Sequence, residues 1–169
     1  MNEAANSTPA AWKSGSLSYG SGLTLDVAKR MLEAGEKEAE KQGVPMSMAI
    51  SDAGGNLIAF RRMDSAALFS IQIAMDKAYT TAFGKMPTGS FANFYRTGEL
   101  APLFFHKRWI TFPGGFPIIK DGAILGGIGV SGGTVEDVYV ARAALEAGSF
   151  VLDDVDAVIT AMKGEAGKK

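Results

Sequence analysis

Residues 116–137 read FPIIKDGAILGGIGVSGGTVED, and this stretch decides the fold class. Two apolar runs, residues 116–119 and 123–130, flank the dipeptide Asp121-Gly122. Both residues of that dipeptide tolerate the positive φ angles of a two-residue hairpin turn, so the runs are predicted to be antiparallel neighbours. The second run is apolar almost throughout, which is typical of a central buried strand.

Three further strands are predicted on the amino-terminal side of this hairpin. Residues 46–51 and 57–61 are predicted to form a second hairpin, because the dense turn signal of residues 52–56 (DAGGN) separates them. Residues 107–112 are predicted to be another strand, which Pro113-Gly114-Gly115 interrupts. We therefore expect an α+β domain with a five-stranded antiparallel sheet and helices packed on it.

Helices are predicted near residues 24–43, 64–84, 134–147 and 155–162 from apolar spacing, N-cap residues and glycine stops. The second of these carries a stripe made almost entirely of alanine. Small side chains on one face allow a helix to lie unusually close to a sheet. The stripe consists of Ala67, Ile71, Ala74, Ala78 and Ala82.

Composition excludes several classes of function. The 169 residues include 17 Lys and Arg against 18 Asp and Glu, so a broad nucleic-acid surface is not expected. There is no cysteine and a single histidine, His106, which excludes a cysteine zinc site, a thiolate nucleophile and a multi-histidine metal site within one chain. No run of about 18 apolar residues occurs, so no membrane partner is expected.

The chain is expected to contain one domain. We predict a flexible N-terminal arm at residues 1–22, because this stretch is rich in Ser, Ala and Gly. A single domain is expected at residues 23–163 and a short tail at residues 164–169. The absence of an apolar signal-peptide region favours a cytoplasmic protein.

Seven short motifs occur in one order with short gaps. They are LDVA (25–28), SDAGGNL (51–57), RMD (62–64), AMDKA (74–78), FPGGFPI (112–118), DG (121–122) and GGIGVSGGT (126–134). Taken together they resemble the GlcG/HbpS family of haem-binding or haem-degrading domains, which also forms the carboxy-terminal part of PduO proteins. The resemblance extends over residues 23–148.

The resemblance implies a profilin-like or PAS-like fold, assembly as a homo-oligomer, and a cleft near the glycine-rich loops that holds a small-molecule ligand. Members of the family bind haem or related tetrapyrroles or occur in catabolic operons, so haem is the implied cofactor. Residues 86–108 depart from the family pattern. Because they would border the cleft, this departure leaves the identity of the ligand open.

Two glycine-rich loops are candidate ligand-binding sites. Ser131, Gly132 and Gly133 lead from a strand into a helix, where backbone N–H groups attract a carboxylate and glycine allows close approach. Gly114 and Gly115 form the other loop. The alternative is that the first loop is only a tight turn with a helix cap and the second only a β-bulge.

Three side chains are candidate catalytic groups. His106 carries an imidazole, which could transfer a proton or ligate haem iron. Glu136 and Asp137 lie in the first turn of a predicted helix, where either could act as an acid or a base. The alternatives are a surface histidine and two carboxylates that only complement the helix dipole.

Four further side chains are candidate ligand-binding residues. Arg62 could bind a carboxylate in bidentate fashion or pair with Asp64. Lys77 would become reactive if it were buried among the small residues around it, and the alternative is that it snorkels to the surface. Phe105 and Trp109 belong to a segment with eight aromatic residues between positions 91 and 116, suited to stacking on a planar ligand. The alternative for this segment is a hydrophobic core or an oligomer interface.

Two functions follow from these patterns. The first is an accessory protein that binds haem or a related tetrapyrrole. The second is a catabolic hydrolase, tautomerase or deaminase that acts on an unsaturated or oxo carboxylic acid from aromatic ring cleavage. A purely structural oligomer module would also account for the aromatic residues.

Overall fold

The structure of the protein is a computed structural model that describes residues 18–19, 22–98, 102 and 105–166. Most of the predicted arm (residues 1–17 and 20–21) and residues 167–169 of the predicted tail lie outside the described residues. The elements in chain order are β1 Ser18–Tyr19, α1 Leu25–Gln42, β2 Ser47–Asp52, β3 Leu57–Arg62, α2 Leu68–Gly84, a 3₁₀ turn Thr88–Ser90, α3 Phe91–Thr97, β4 Gly115–Lys120, β5 Ala123–Ser131, α4 Glu136–Ala147 and α5 Asp153–Ala166.

The sheet consists of four antiparallel strands in the order β3-β2-β5-β4, and β1 adds two residues in parallel beside the start of β5. The predicted hairpin is confirmed, since Asp121 and Gly122 have φ angles of 50° and 74° between paired Lys120 and Ala123. β5 is the central strand. Two residues of the predicted arm therefore belong to the sheet, and residues 164–166 of the predicted tail belong to α5.

The prediction of a strand at residues 107–112 is wrong, and so is the prediction of a sheet with five antiparallel strands. This segment crosses α2 instead, where the Thr80 hydroxyl accepts from Ile110 N–H at 3.0 Å and donates to the Arg108 carbonyl at 2.9 Å. Backbone groups must find partners when they are buried, and here a helix side chain supplies them instead of a neighbouring strand. The apolar residues of the segment gave no indication of this.

Thr88 holds the next part of the segment that connects α3 to β4. Its buried hydroxyl donates to the Phe112 carbonyl at 2.5 Å and accepts from Gly115 N–H at 3.0 Å. Thr88→Val keeps the volume of the side chain but leaves both backbone groups without this partner. We expect a loss of about 2 kcal/mol in the free energy of unfolding, measured by urea denaturation.

Thr160→Val is the matched control for this prediction, because among the described residues the Thr160 hydroxyl bonds to Asp156 O alone, on an exposed helix surface. This control is expected to change stability by less than about 0.5 kcal/mol. Equal losses for the two variants would show that Thr88 does not hold the connection.

Helices cover both faces of the sheet. The larger core lies between the sheet and α1, α4 and α5, and includes Met31, Met48, Phe116, Val130 and Leu145. On the other face, α2 lies on Ala49 through Ala74 and Ala78, which confirms the alanine stripe as a contact surface. Among the described residues, no helix combines the length and the apolar character needed to cross a membrane.

Glycines of β5 allow α2 to lie so close to the sheet. A Cβ atom on Gly127 would lie 2.3 Å from the Ala78 carbonyl oxygen, and one on Gly129 would lie 2.1 Å from that of Ala74. The backbone of the helix therefore contacts the backbone of the strand. This close contact brings the middle of α2 to the end of β5.

Candidate functional site

A buried ion pair lies where α2 meets the end of β5 and the start of α4. The Lys77 Nζ atom is 2.8 Å from Asp137 Oδ2 and donates to the Val130 carbonyl at 2.6 Å. The side chains are only 2% and 4% exposed. The other carboxylate oxygen of Asp137 accepts from Gly133 N–H at 2.8 Å. Both charged groups are thus fixed by short hydrogen bonds.

Burial shifts the pKa values of both partners towards their neutral forms. It lowers the pKa of Lys77, against the opposing attraction of the Asp137 carboxylate. It also raises the pKa of Asp137, against the ammonium group of Lys77 and the N–H of Gly133. Desolvation is the largest cause in each case, because it penalises a charge wherever water is excluded. Burial therefore brings the pKa values of the two groups closer together than their ordinary values of 10.5 and 3.8.

The Gly114 loop covers this pair. Gly114 has a φ of +110°, and a Cβ on it would lie 2.8 Å from Lys77 Nζ, Asp137 Cβ and the Val130 carbonyl oxygen. Only glycine fits such a position. The two glycine loops predicted from the sequence therefore meet at one place, with Lys77 and Asp137 between them and the backbone of Gly115 held by Thr88.

A cavity of about 330 Å³ opens beside the ion pair. Its mouth carries two large exposed rings, since Phe69 is 63% exposed and Phe112 is 64% exposed. Of the predicted site residues, Lys77, Ser131, Gly133 and Asp137 line it. The full lining is Phe69, Ile73, Lys77, Phe112, Pro113, Ser131, Gly133, Thr134, Asp137 and Met162.

The amide donors at the start of α4 bind carboxylates of the chain itself. Gly133 N–H donates to Asp137, and the N–H and hydroxyl of Thr134 donate to Glu136 Oε2 at 2.8 and 3.1 Å. These hydrogen bonds lower the pKa of Glu136. Gly132 lies against the backbone just before β2, since a Cβ on it would be 2.7 Å from the Pro45 carbonyl oxygen.

His106 and Phe105 are not among the residues that line the cavity. His106 is exposed and stacks on Tyr79 with ring centroids 5.7 Å apart, and its Nδ1 accepts from Arg108 N–H at 3.3 Å. Arg108 lies over the Tyr79 ring and donates to buried Asp76 at 2.9 Å. Phe105 is 88% exposed.

Trp109 and Arg62 lie in different surroundings. Trp109 packs edge-on against Phe91 at 4.8 Å, and its buried Nε1 atom has no hydrogen-bond partner in the described part of the chain. Arg62 is exposed at the end of β3, opposite Ser47, which in turn pairs with Ser131 on β5. Paired residues share a face, so Arg62 lies on the α2 side of the sheet, two strand spacings or roughly 10 Å from the cavity edge.

The family is decided by one match. The model of the family "Haem degrading protein HbpS-like" matches residues 23–146. The chain belongs to the GlcG/HbpS family. The match includes both glycine loops, Lys77 and Asp137, so the buried ion pair lies inside the family domain.

Within the GlcG/HbpS family, the chain is similar to proteins from enteric bacteria. It is 37% identical over 128 residues to an uncharacterized 15.0 kDa protein of the dhaT-dhaS intergenic region of Citrobacter freundii, covering 73% of this chain and 90% of that one. It is 36% identical over 110 residues to GlcG of Escherichia coli K12, covering 64% and 81%. The crystal structure of the PduOC:heme complex superposes with a TM-score of 0.70 at 29% identity, covering 75% and 94%.

The sequence analysis did not identify several residues of this GlcG/HbpS site. Phe69 and Ile73 lie on the exposed side of the alanine-rich helix, and Met162 comes from the last helix, which matched no motif. Thr88 follows Pro87 at the start of a short turn, and none of the motifs includes it. A lysine among the small residues of the alanine stripe, between Ala74 and Ala78, was the local signal that pointed to Lys77.

Proposed function

We propose that the protein binds haem or a related tetrapyrrole in an accessory role, at the cavity beside Lys77 and Asp137. The observation that carries this proposal is the apolar cavity with two exposed phenylalanine rings at its mouth, Phe69 and Phe112. Exposed rings that border an apolar opening are typical of ligand sites, and they suit a flat conjugated ligand. The likeness to the PduOC:heme complex favours a tetrapyrrole as that ligand.

The chemistry of the lining fits part of such a ligand. A cavity of about 330 Å³ is at the small end of the range for ligand pockets, roughly 300–1,000 Å³, so the rings at the mouth would cover what remains outside. Met162 brings a thioether, a group that ligates haem iron in some proteins. His106 supports the proposal less, because it does not line the cavity.

The acidic groups of the ligand need a positive partner. Lys77 is already paired with Asp137, and the amides of Gly133 and Thr134 already donate to carboxylates. Arg62 is an exposed cation on the same face of the sheet, so we propose it as the group that binds a propionate. The homo-oligomer, the cytoplasmic location and a link to aromatic catabolism stay predictions.

Titration with haem, followed by the Soret absorbance, tests the proposal. Phe112→Ala is expected to weaken haem binding about tenfold, or 1.4 kcal/mol, because it removes a ring that would stack on the macrocycle. Met162→Ala should change the Soret position if the thioether binds iron. His106→Ala should leave both affinity and spectrum unchanged.

Phe83→Ala is the matched control. Phe83 is 47% exposed like the rings at the mouth, but it stacks on Tyr79 at 4.5 Å and does not line the cavity. Its substitution should leave haem affinity unchanged. A wild-type protein that shows no Soret change at micromolar haem would overturn the proposal, and equal losses for Phe83→Ala and Phe112→Ala would overturn the location of the site.

A further inference from the structure

We infer a second activity of this cavity, which does not depend on haem: Lys77 forms an imine with aldehydes and ketones that have an apolar body, and Asp137 carries the proton. The residues named are the two partners of the buried ion pair. Nothing in the proposed haem-binding role requires a buried amine.

The first support is the position of the amine. Lys77 Nζ donates to the Val130 carbonyl and to Asp137 Oδ2, which uses two of its three N–H groups. No third partner occurs among the described residues, and Lys77 is one of the residues that line the cavity. Lys77 thus contributes to the cavity wall with an amine that two hydrogen bonds hold in place.

The second support is the chemistry that the pair makes available. Transfer of one proton from Nζ to Oδ2 over 2.8 Å gives a neutral amine beside a carboxylic acid, and burial favours both neutral forms. A lysine amine in a desolvated site is the usual nucleophile for carbonyl substrates. Lys29 is exposed to water, and it has no buried acid partner within the part of the chain that the structure describes.

The reaction balances without any further reagent. The nitrogen lone pair of Lys77 forms a bond to the carbonyl carbon while the C=O π pair moves to oxygen, and a proton passes from nitrogen to that oxygen. Asp137 then gives its proton to the hydroxyl group, which leaves as water as the C=N bond forms. The product is a protonated imine next to the regenerated Asp137 carboxylate, so no oxidant or reductant takes part.

The lining indicates which carbonyl compounds would enter. Ile73, Phe112 and Met162 present apolar surface, while the positive charge of Lys77 is cancelled by Asp137. The two amides at the start of α4 already have carboxylate partners. An aromatic aldehyde or ketone is therefore favoured over a small oxo-acid anion.

Reductive trapping tests this inference in the absence of haem. The protein is incubated with benzaldehyde and cyanoborohydride, and the benzyl groups that become attached are located by peptide mass mapping. Lys77 is expected to be labelled about tenfold faster than Lys29, because acid–base assistance of the kind that Asp137 would provide contributes about 10²–10⁴-fold, against slower entry of the reagent into a buried site. Replacing benzaldehyde with glyoxylate should remove this advantage.

Two comparisons separate the mechanism from local sequence effects. Asp137→Asn should lower the rate of imine formation at Lys77 about a hundredfold, the lower end of what acid–base assistance contributes, because loss of the acid that protonates the departing hydroxyl outweighs the larger neutral fraction of the amine. In urea-denatured wild-type protein, Lys77 and Lys29 should react equally. The inference is overturned if native Lys77 reacts no faster than Lys29, or if its advantage persists in urea. Because the wild-type protein decides this without haem, its failure is distinguishable from failure of the haem titration.

Discussion

Asp137→Asn is expected to lower the free energy of unfolding by about 3–5 kcal/mol near pH 6, because it leaves the buried Lys77 ammonium without its counterion. Burial then lowers the pKa of Lys77 without an opposing carboxylate. The unfolded chain binds a proton that the folded chain does not, so stability rises with pH between the lowered pKa and the ordinary value of 10.5. Urea denaturation at pH 6 and pH 9 measures the loss and its direction.

Lys77→Met should show the opposite dependence on pH. It leaves the Asp137 carboxylate buried, with Gly133 N–H as its remaining donor, and burial raises the pKa of that carboxyl. The folded chain now binds more protons than the unfolded chain. The stability that the Asp137 carboxyl contributes below its ordinary pKa of 3.8 is therefore lost as the pH rises through its raised pKa.

The double variant Lys77→Met with Asp137→Leu is the control. It removes both charges and fills the space with apolar atoms, so most of the stability lost in either single variant should return. Parallel pH dependences for the two single variants, or a double variant that loses the sum of the two single losses, would contradict a coupled buried pair.

Local features of the sequence predicted much of the fold. The Asp121-Gly122 hairpin and the alanine stripe of α2 depend on residues close together in the chain, and both are confirmed. The strand at residues 107–112 was wrong because its backbone partners lie in α2, at Thr80, about 30 residues away. Local apolar character cannot distinguish a strand from a segment that a helix side chain holds in place.

The sequence predicted individual residues of the candidate site, but it did not predict which of them lie together. Lys77, Gly114 and Asp137 were each proposed, yet 60 residues separate the two charged partners and no local pattern joins them. The amides of Gly133 and Thr134 at the start of α4 bind Asp137 and Glu136, two residues proposed to act on a ligand. Only the structure shows that these two carboxylates already accept the hydrogen bonds of those amides.

Gly129→Ala is expected to cost about 3 kcal/mol or more of unfolding free energy, at the upper end for overpacking in a core. The new Cβ would lie 2.1 Å from the Ala74 carbonyl oxygen and 2.5 Å from the Ala78 nitrogen, and helix backbone cannot rotate away as a side chain can. In an unobstructed strand the same change would stabilise by roughly 0.5–1 kcal/mol. The sign of the change in unfolding free energy, measured by urea denaturation, therefore distinguishes the two cases.

The same substitution should also damage the site, because Gly129 lies under the part of α2 that carries Lys77. Its added Cβ would be 2.8 Å from the Lys77 Cβ, so α2 must move and the distance from Nζ to Asp137 must change. Benzaldehyde labelling of Lys77 should therefore fall towards that of Lys29. Gly54→Ala is the control, since its nearest neighbour is the Asn56 side chain at 3.0 Å in an exposed turn, and its cost should stay below about 1 kcal/mol. If Gly129→Ala were as mild as Gly54→Ala, the close contact of α2 with β5 could not be what places Lys77 beside Asp137.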